Sequence, residues 1–460
     1  MSTYTKELKN TDDSMTGILS GSRDGDKKCT PDAIYYRNKP HTAQKLHQGT
    51  THRVCPPEET YERILPILPK AGITRMADVT GLDRIGIPTI LAMRPNAPTL
   101  SNSSGKGFTT VAARVSAAME GIELFCAEEE WRFPFSPIVA SYNDLASDGV
   151  NLPDIELLPL SLHSLFSRSS QERWALGWDI FGQCEVAVPF ETVTMVPVLG
   201  DTYPTFSFQI GSNGLASGNV LLEAICSGLY EVIERDAVTN SNILAGHDVT
   251  NMDRLRLATI PYDNVQELVE RLQFKGIIPF LLDCTIDTQV PTYEAYILDR
   301  DVPSTGIFKG YGSHLDPEVA MLRALTEAVQ SRAVYIAGSR DDMMNFEHRR
   351  LKIARRMQEL FHDDTDEVEF SRDSQAADTF EEDCLTLLDA LANIGIERAV
   401  VFDLSWPEFE VSVVRVVVPG LEGYGSFPYY RPGPRGRAAA RMAVSRQNNS
   451  RFTKGGSVDS

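Results

Sequence analysis

Three segments of the chain repeat one spacing of acidic residues, and that repetition restricts the folds open to it. Ser116-Ala-Ala-Met-Glu-Gly-Ile-Glu123, Ser227-Gly-Leu-Tyr-Glu-Val-Ile-Glu234 and Arg323-Ala-Leu-Thr-Glu-Ala-Val-Gln330 each run from a polar residue through Glu to Glu or Gln. Each follows a glycine-bearing stretch: Gly105-Lys-Gly107, Asn213-Gly-Leu-Ala-Ser-Gly-Asn219 and Gly310-Tyr-Gly312. Gly107 precedes Glu120 by 13 residues, Gly218 precedes Glu231 by 13, and Gly312 precedes Glu327 by 15. Periods of 111 and then 96 residues are too long and too unequal for a solenoid. Three loop–helix units facing one centre account for the recurrence.

Helix geometry sharpens the point. At about 100° per residue, Ser116, Glu120 and Glu123 fall within about 60° of one another. Glu223, Ser227, Glu231 and Glu234 fall within about 80°, and Arg323, Glu327, Gln330 and Ser331 within about 100°. Like charges at these spacings repel unless something neutralises them. The Ala, Gly, Leu, Val and Ile between them predict helices buried by neighbours. A single acidic stripe would read as a solvated face; three with common flanks do not. Carboxylates without basic partners suit a hard cation such as Mg²⁺. Beside Gly-rich stretches and a few Lys and Arg, the cation predicts a nucleoside triphosphate. Neither a P-loop nor a strand–GxGxxG–helix unit is present, which disfavours a P-loop ATPase or conventional kinase.

The remaining chain supports an enzyme-like body with polar ends. Its 460 residues suggest about three domains by length alone. The net charge is −19, with residues 431–460 at +6 and the rest at −25. An acidic body disfavours nucleic-acid binding. No start-proximal apolar segment, membrane-length apolar run or CxxC pair occurs, which reads as a cytoplasmic protein with reduced thiols and no membrane association. No His spacing suits a metal, and Cys126 and Cys226 read as core thiols.

Periodicity predicts helices over 109–130, 220–240, 317–337 and 341–361. Strands are expected at Thr74–Val79, Ile87–Arg94, 205–210, Ile277–Leu282, Thr292–Asp299, Arg398–Asp403 and Val411–Val418. Residues 145–180 resist assignment. The fold class is mixed α/β (α+β). A flexible extension is expected over 1–55, a catalytic body over 56–430, and a basic, disordered tail over 431–460.

The stretch Asn213–Ala224, continued by Gly228–Ala237, closely resembles the central signature of the YcaO superfamily. Ser116-x3-Glu120-x2-Glu123 and Glu327-x2-Gln330-x-Arg332 resemble its first and third signatures, and Val414–Glu422 its closing run. The resemblance covers roughly residues 72–423. It implies an ATP-binding fold in which ATP phosphorylates the oxygen of a peptide-backbone amide after a nucleophile adds to the carbonyl carbon. A neighbouring Cys, Ser or Thr then yields an azoline, and external sulfide yields a thioamide. Carried over by position, Glu120, Glu123, Glu231 and Glu234 are the expected Mg²⁺ ligands. Lys106, Ser116, Asn219, Glu223, Arg235, Arg323, Glu327 and Gln330 are expected around ATP, although a solvated loop Lys is an equal reading of Lys106. Arg332 points about 140° off the Glu327 face and reads as structural. No catalytic acid or base is assigned.

Two features bear on the branch. The Pro-rich PxPxP terminus of many azoline-forming members is missing, and Gly72–Pro88 is similar to members that work beside a TfuA-type partner. Those members are associated with thioamidation, so thioamide formation is favoured, with azoline formation or a non-catalytic accessory role as alternatives. A peptide substrate is implied, delivered by a separate TfuA-like or leader-binding protein; a homodimer is left open. The basic tail reads as a solvated end, with steering of an acidic partner as its alternative.

Overall fold

The computed structural model describes residues 31, 33–196, 207–339, 367–425 and 429–454, with side chains to Arg446. The helix expected over 341–361 lies outside the described residues, as do residues 1–30. Of the strand expected over 205–210, only an isolated bridge from Phe208 to Leu160 is described.

Three sheets carry the three acidic helices, and the chain is α+β as expected. In the first, β1 (Arg75–Asp78), β2 (Thr89–Met93) and β3 (Asn102–Lys106) pair antiparallel in sequence order. Helix α2 (Thr110–Glu128) packs on it, and helix α1 (Pro57–Ile64) packs on α2. The second sheet runs β4 (Ile138–Ser141), β5 (Gln171–Asp179), β13 (Val400–Asp403), β14 (Ser412–Val417), β7 (Leu215–Gly218), with β6 (Cys184–Pro189) on β5. Helix α3 (Leu221–Leu244) crosses this sheet, and helix α6 (Phe380–Asn393) packs on α3. The third runs β11 (Ile307–Ser313), β10 (Thr292–Asp299), β9 (Ile277–Asp283), β8 (Arg254–Leu255), β12 (Glu367–Val368). It carries α4 (Asp263–Phe274) and α5 (Pro317–Ile336).

The glycine stretches are strands, not loops: Gly105 lies in β3, Gly218 in β7, and Gly310 and Gly312 in β11. Each glycine lets a helix lie directly on its strand. A Cβ on Gly105 would stand 2.0 Å from the Ala117 nitrogen, and one on Gly312 2.0 Å from the Ala320 oxygen. Gly105 and Gly312 therefore occupy equivalent places, each 15 residues before its glutamate. Matching Gly107 with Gly312 by sequence slips the register by one pleat.

The helices share one phase. Their N-caps are Thr109, Val220 and Asp316, and eleven residues beyond each stands Glu120, Glu231 or Glu327. Fourteen residues beyond stand Glu123, Glu234 and Gln330. Side-chain oxygens of Thr109 and Asp316 accept backbone N–H groups at the first turn, fixing where each helix begins.

Among the described residues, part of each expected flexible end is ordered. Residues 33–55 are anchored at several points: Ile34 is fully buried, Lys45 pairs with Asp383 at 2.5 Å, and the Val54 N–H donates to Glu223. At the other end, Pro434–Lys454 is a helix, α7. Its Ala438 and Ala439 pack on Ile243 of α3, and Arg435 is buried against two carboxylates. Counting charge hid both features, because a polar segment orders once its charges find buried partners. Among the described residues, no helix is long and apolar enough to cross a membrane.

Candidate functional site

The three acidic stripes meet, and each unit is tied to another. Lys106 of β3 donates to Glu327 of α5 at 2.9 Å. Gln330 of α5 returns a bond to the Ser104 carbonyl at 2.6 Å. Ser217 of β7 donates to Glu123 of α2 at 2.6 Å, and the Tyr311 N–H of β11 to Glu327 at 3.3 Å. Arg235, one position past Glu234, has its guanidinium 5.5 Å from the Tyr311 ring and 5.2 Å from the Tyr424 ring. These rings flank the cation and limit its freedom.

The carboxylates are crowded more than they are neutralised. Burial pushes Glu120 up to about 7, with Lys106 opposing and Glu327 and Glu231 adding repulsion. Burial also raises Glu123 to about 8 and Glu231 to about 7, and lifts Glu234. At Glu327 burial is outweighed by Lys106 and Arg235, which hold it below its ordinary value. One oxygen of Glu234 and the Arg323 Nε are buried without a hydrogen-bond partner.

The site opens on two sides. A cavity of about 810 Å³ is lined by Glu231, Arg235, Glu327, Lys309 and Tyr311 among its polar residues. Leu157, Ile210, Phe308, Val418 and Leu421 are among its apolar lining. One turn towards the helix N-termini, Ser227 and Arg323 line a separate narrow crevice with Arg53, Ser313 and His314. Asn219 and Glu223 lie at the start of α3 and face the N-terminal segments. Asn219 accepts from Thr60 at 2.9 Å and Arg63 at 3.3 Å, and Glu223 is 3.6 Å from Arg53. Ser116 is half-buried one turn before Glu120 on α2. Arg332 is buried between two carboxylates, holding Asp83 and Asp299, each at 2.9 Å.

Sequence reasoning missed Arg415. Strand alternation puts it on the same face of β14 as Val413 and Val417, which belong to the core that α2 helps form. It is fully buried and donates to the carbonyls of Val193, Gly211 and Asn213. Burial lowers it to about 10, against the pull of Glu231 and Glu123. A lone Arg inside Val413-Val-Arg-Val-Val417 was the available signal, since a buried cation needs nearby anions.

The donor set fits a metal–nucleotide pair better than a metal alone. Among the described residues, no three His, Cys, Asp or Glu side chains are gathered closely enough to hold an ion. Glu120, Glu123, Glu231 and Glu234 therefore form no ready cage. Mg²⁺ commonly takes one or two carboxylates and completes its shell with phosphate oxygens and water. The unpartnered Glu234 oxygen and Arg323 Nε are groups that such a pair would satisfy.

A pH dependence follows. Folding raises Glu120, Glu123 and Glu231 from an ordinary 4.5 to about 7 or 8. Their contribution to stability is complete below about pH 4.5 and is lost as pH rises through about 7–8. The ligand-free protein should melt a few degrees lower at pH 8.5 than at pH 5.5 in calorimetry. A melting temperature that climbs across that interval would contradict the burial of these groups.

Comparison with known proteins bears on this geometry. Residues 104–422 match the family described as YcaO cyclodehydratase, ATP- and Mg²⁺-binding. An uncharacterized protein in the tfuA 3′ region of Rhizobium leguminosarum bv. trifolii is 35% identical over 403 residues, covering 85% of this chain and 94% of that one. The YcaO structure from Methanopyrus kandleri bound with AMPPCP and Mg²⁺ superposes with TM-score 0.64 at 24% identity, covering 85% and 100%. A heterocyclase in complex with substrate and cofactor superposes with TM-score 0.70 at 21% identity. It is matched over 84% of this chain and 55% of its own, so the chain spans about half its length. At these identities the two structures speak to the fold.

Proposed function

The chain belongs to the YcaO family, and from that premise we propose that it activates peptide-backbone amides by ATP- and Mg²⁺-dependent O-phosphorylation, with a thioamide as the product. The observation that carries this reading is that Glu231, Glu327 and Arg235 line one partly apolar cavity, with Glu120, Glu123 and Glu234 near enough to repel the two glutamates and Lys106 bonded to Glu327. When bound, Mg·ATP supplies the phosphoryl group that turns a poor leaving oxygen into a good one. Glu120, Glu123, Glu231 and Glu234 would hold Mg²⁺. Lys106, Arg235 and Arg323 would meet phosphate, and Ser116, Asn219, Glu223, Glu327 and Gln330 would orient the nucleotide and its partners. Arg415 would balance the carboxylates from the sheet side.

The remaining chemistry asks little of acids or bases. The nucleophile adds to the amide carbon, the oxygen leaves as phosphate, and C=S is restored in its place when the nucleophile is sulfide. The large cavity is the space in which a peptide segment would present its amide. The tfuA-region relative supports the thioamide branch and a TfuA-like partner. The heterocyclase likeness keeps azoline formation as the second reading. Mass spectrometry of a candidate precursor peptide, co-expressed with the chain and a TfuA-like protein, separates them. Exchange of one oxygen for sulfur is expected. Loss of one water would replace the thioamide reading with the azoline one, and an unmodified peptide with no ATP consumed would favour an accessory role.

A further inference from the structure

Helix α7 ends the described chain, yet its first turn reaches the back of the site. Arg435 is 4% exposed and makes a two-sided ion pair. Its Nε and Nη2 donate to Asp236 at 3.0 and 2.7 Å, and its Nη1 and Nη2 to Asp287 at 2.9 and 2.7 Å. Asp236 follows Arg235 directly on α3, so the two side chains leave one backbone position apart, Arg235 lining the cavity and Asp236 facing Arg435. Asp236 also accepts the Glu422 N–H at 2.8 Å.

A second set of bonds runs from α7 to the cavity wall. Glu422 accepts the N–H groups of Gly433 and Gly436 and the Tyr430 hydroxyl, which fastens the start of the helix. Thr239 of α3 donates to the Gly423 carbonyl at 2.7 Å and accepts the Gly425 N–H at 2.9 Å. Tyr424, held between them, flanks Arg235 and meets the Tyr311 hydroxyl at 3.1 Å.

We propose that helix α7 is a working part of the site, with Arg435 the positioning residue that fixes Arg235 and Tyr424 against the cavity. The inference rests on the reading of Arg235 as a phosphate-facing group. Without Arg435, Asp236 and Asp287 face each other with no cation between them, and buried like charges must separate. Because Asp236 is next to Arg235 and also holds the backbone of Glu422, that separation displaces both members of the Arg235–Tyr424 pair.

The test is isothermal titration of full-length protein with Mg·AMPPCP, well below the unfolding temperature, with circular dichroism confirming the fold. Arg435→Gln is expected to weaken binding by about tenfold or more, the size seen when a group supporting a ligand is lost. Arg435→Lys, which keeps the charge but not the fork, should recover part of it. Arg441→Gln, on an exposed part of the same helix, should bind as the wild type does. A purely structural anchor predicts a lower melting temperature with unchanged affinity, and that result in either Arg435 variant overturns the proposal. Should Arg435→Gln fail to fold, Arg435→Lys alone decides. A wild type that binds no Mg·AMPPCP defeats the nucleotide reading itself, and this inference with it.

Discussion

Glu231→Gln should weaken Mg·AMPPCP binding by at least about 100-fold while leaving the protein folded and, at pH 8, more heat-stable. Glu231 stands in the middle of the cluster. Burial has raised it to about 7, Glu234 adds repulsion, and Arg235, Arg415 and Arg323 pull the other way. Removing its charge relieves crowding in the ligand-free protein and deletes a group a cation would use. The two effects therefore carry opposite signs, which separates loss of a ligand from loss of fold. Calorimetric titration and a melting curve on the same sample read both. Unchanged affinity would remove Glu231 from the site.

The second large effect is expected at a glycine. A Cβ at position 312 would stand 2.0 Å from the Ala320 oxygen and 2.8 Å from the Ala324 nitrogen, both backbone atoms of α5. A helix backbone cannot step aside as a side-chain tip can. Gly312→Ala should therefore cost at least about 3 kcal/mol in denaturant unfolding. Gly105→Ala, whose Cβ would meet the Ala117 nitrogen at 2.0 Å, should cost a similar amount. Gly81→Ala, with nothing within 4 Å, is the control and should change little. A mild Gly312 variant would mean that α5 does not lie directly on β11.

These contrasts show why the acidic helices were legible and much of their support was not. Apolar spacing placed α2, α3 and α5 within a few residues of their ends, and β10 was expected over its observed span, Thr292–Asp299. By contrast β3 reads Asn-Ser-Ser-Gly-Lys, with no intrinsic strand preference. It is a strand because it pairs with β2 and lies under α2, a tertiary effect that no local window contains. The β5–β6 hairpin was lost for a related reason: it buries Glu172 and Asp179, so its hydrophobic alternation is broken.

At the site, the glutamates were visible because a helix projects a spacing onto a face. Lys106 was ambiguous as a loop residue and is defined by Glu327, 221 positions away. Arg435 looked like one more charge in a basic tail. Its partners Asp236 and Asp287 lie 199 and 148 positions away, and only the fold brings them together.

The proposed function requires that the three acidic helices form one site for a metal–nucleotide pair. Thermal unfolding with Mg²⁺ alone, AMPPCP alone and the two together tests it most directly, because a ligand raises the melting temperature only through its affinity for the folded state. The pair should stabilise clearly more than the sum of its parts, and more at pH 8 than at pH 6, where Glu120, Glu123 and Glu231 are largely protonated. Equal stabilisation by Mg²⁺ alone would make this an acidic cation-binding body and contradict the account.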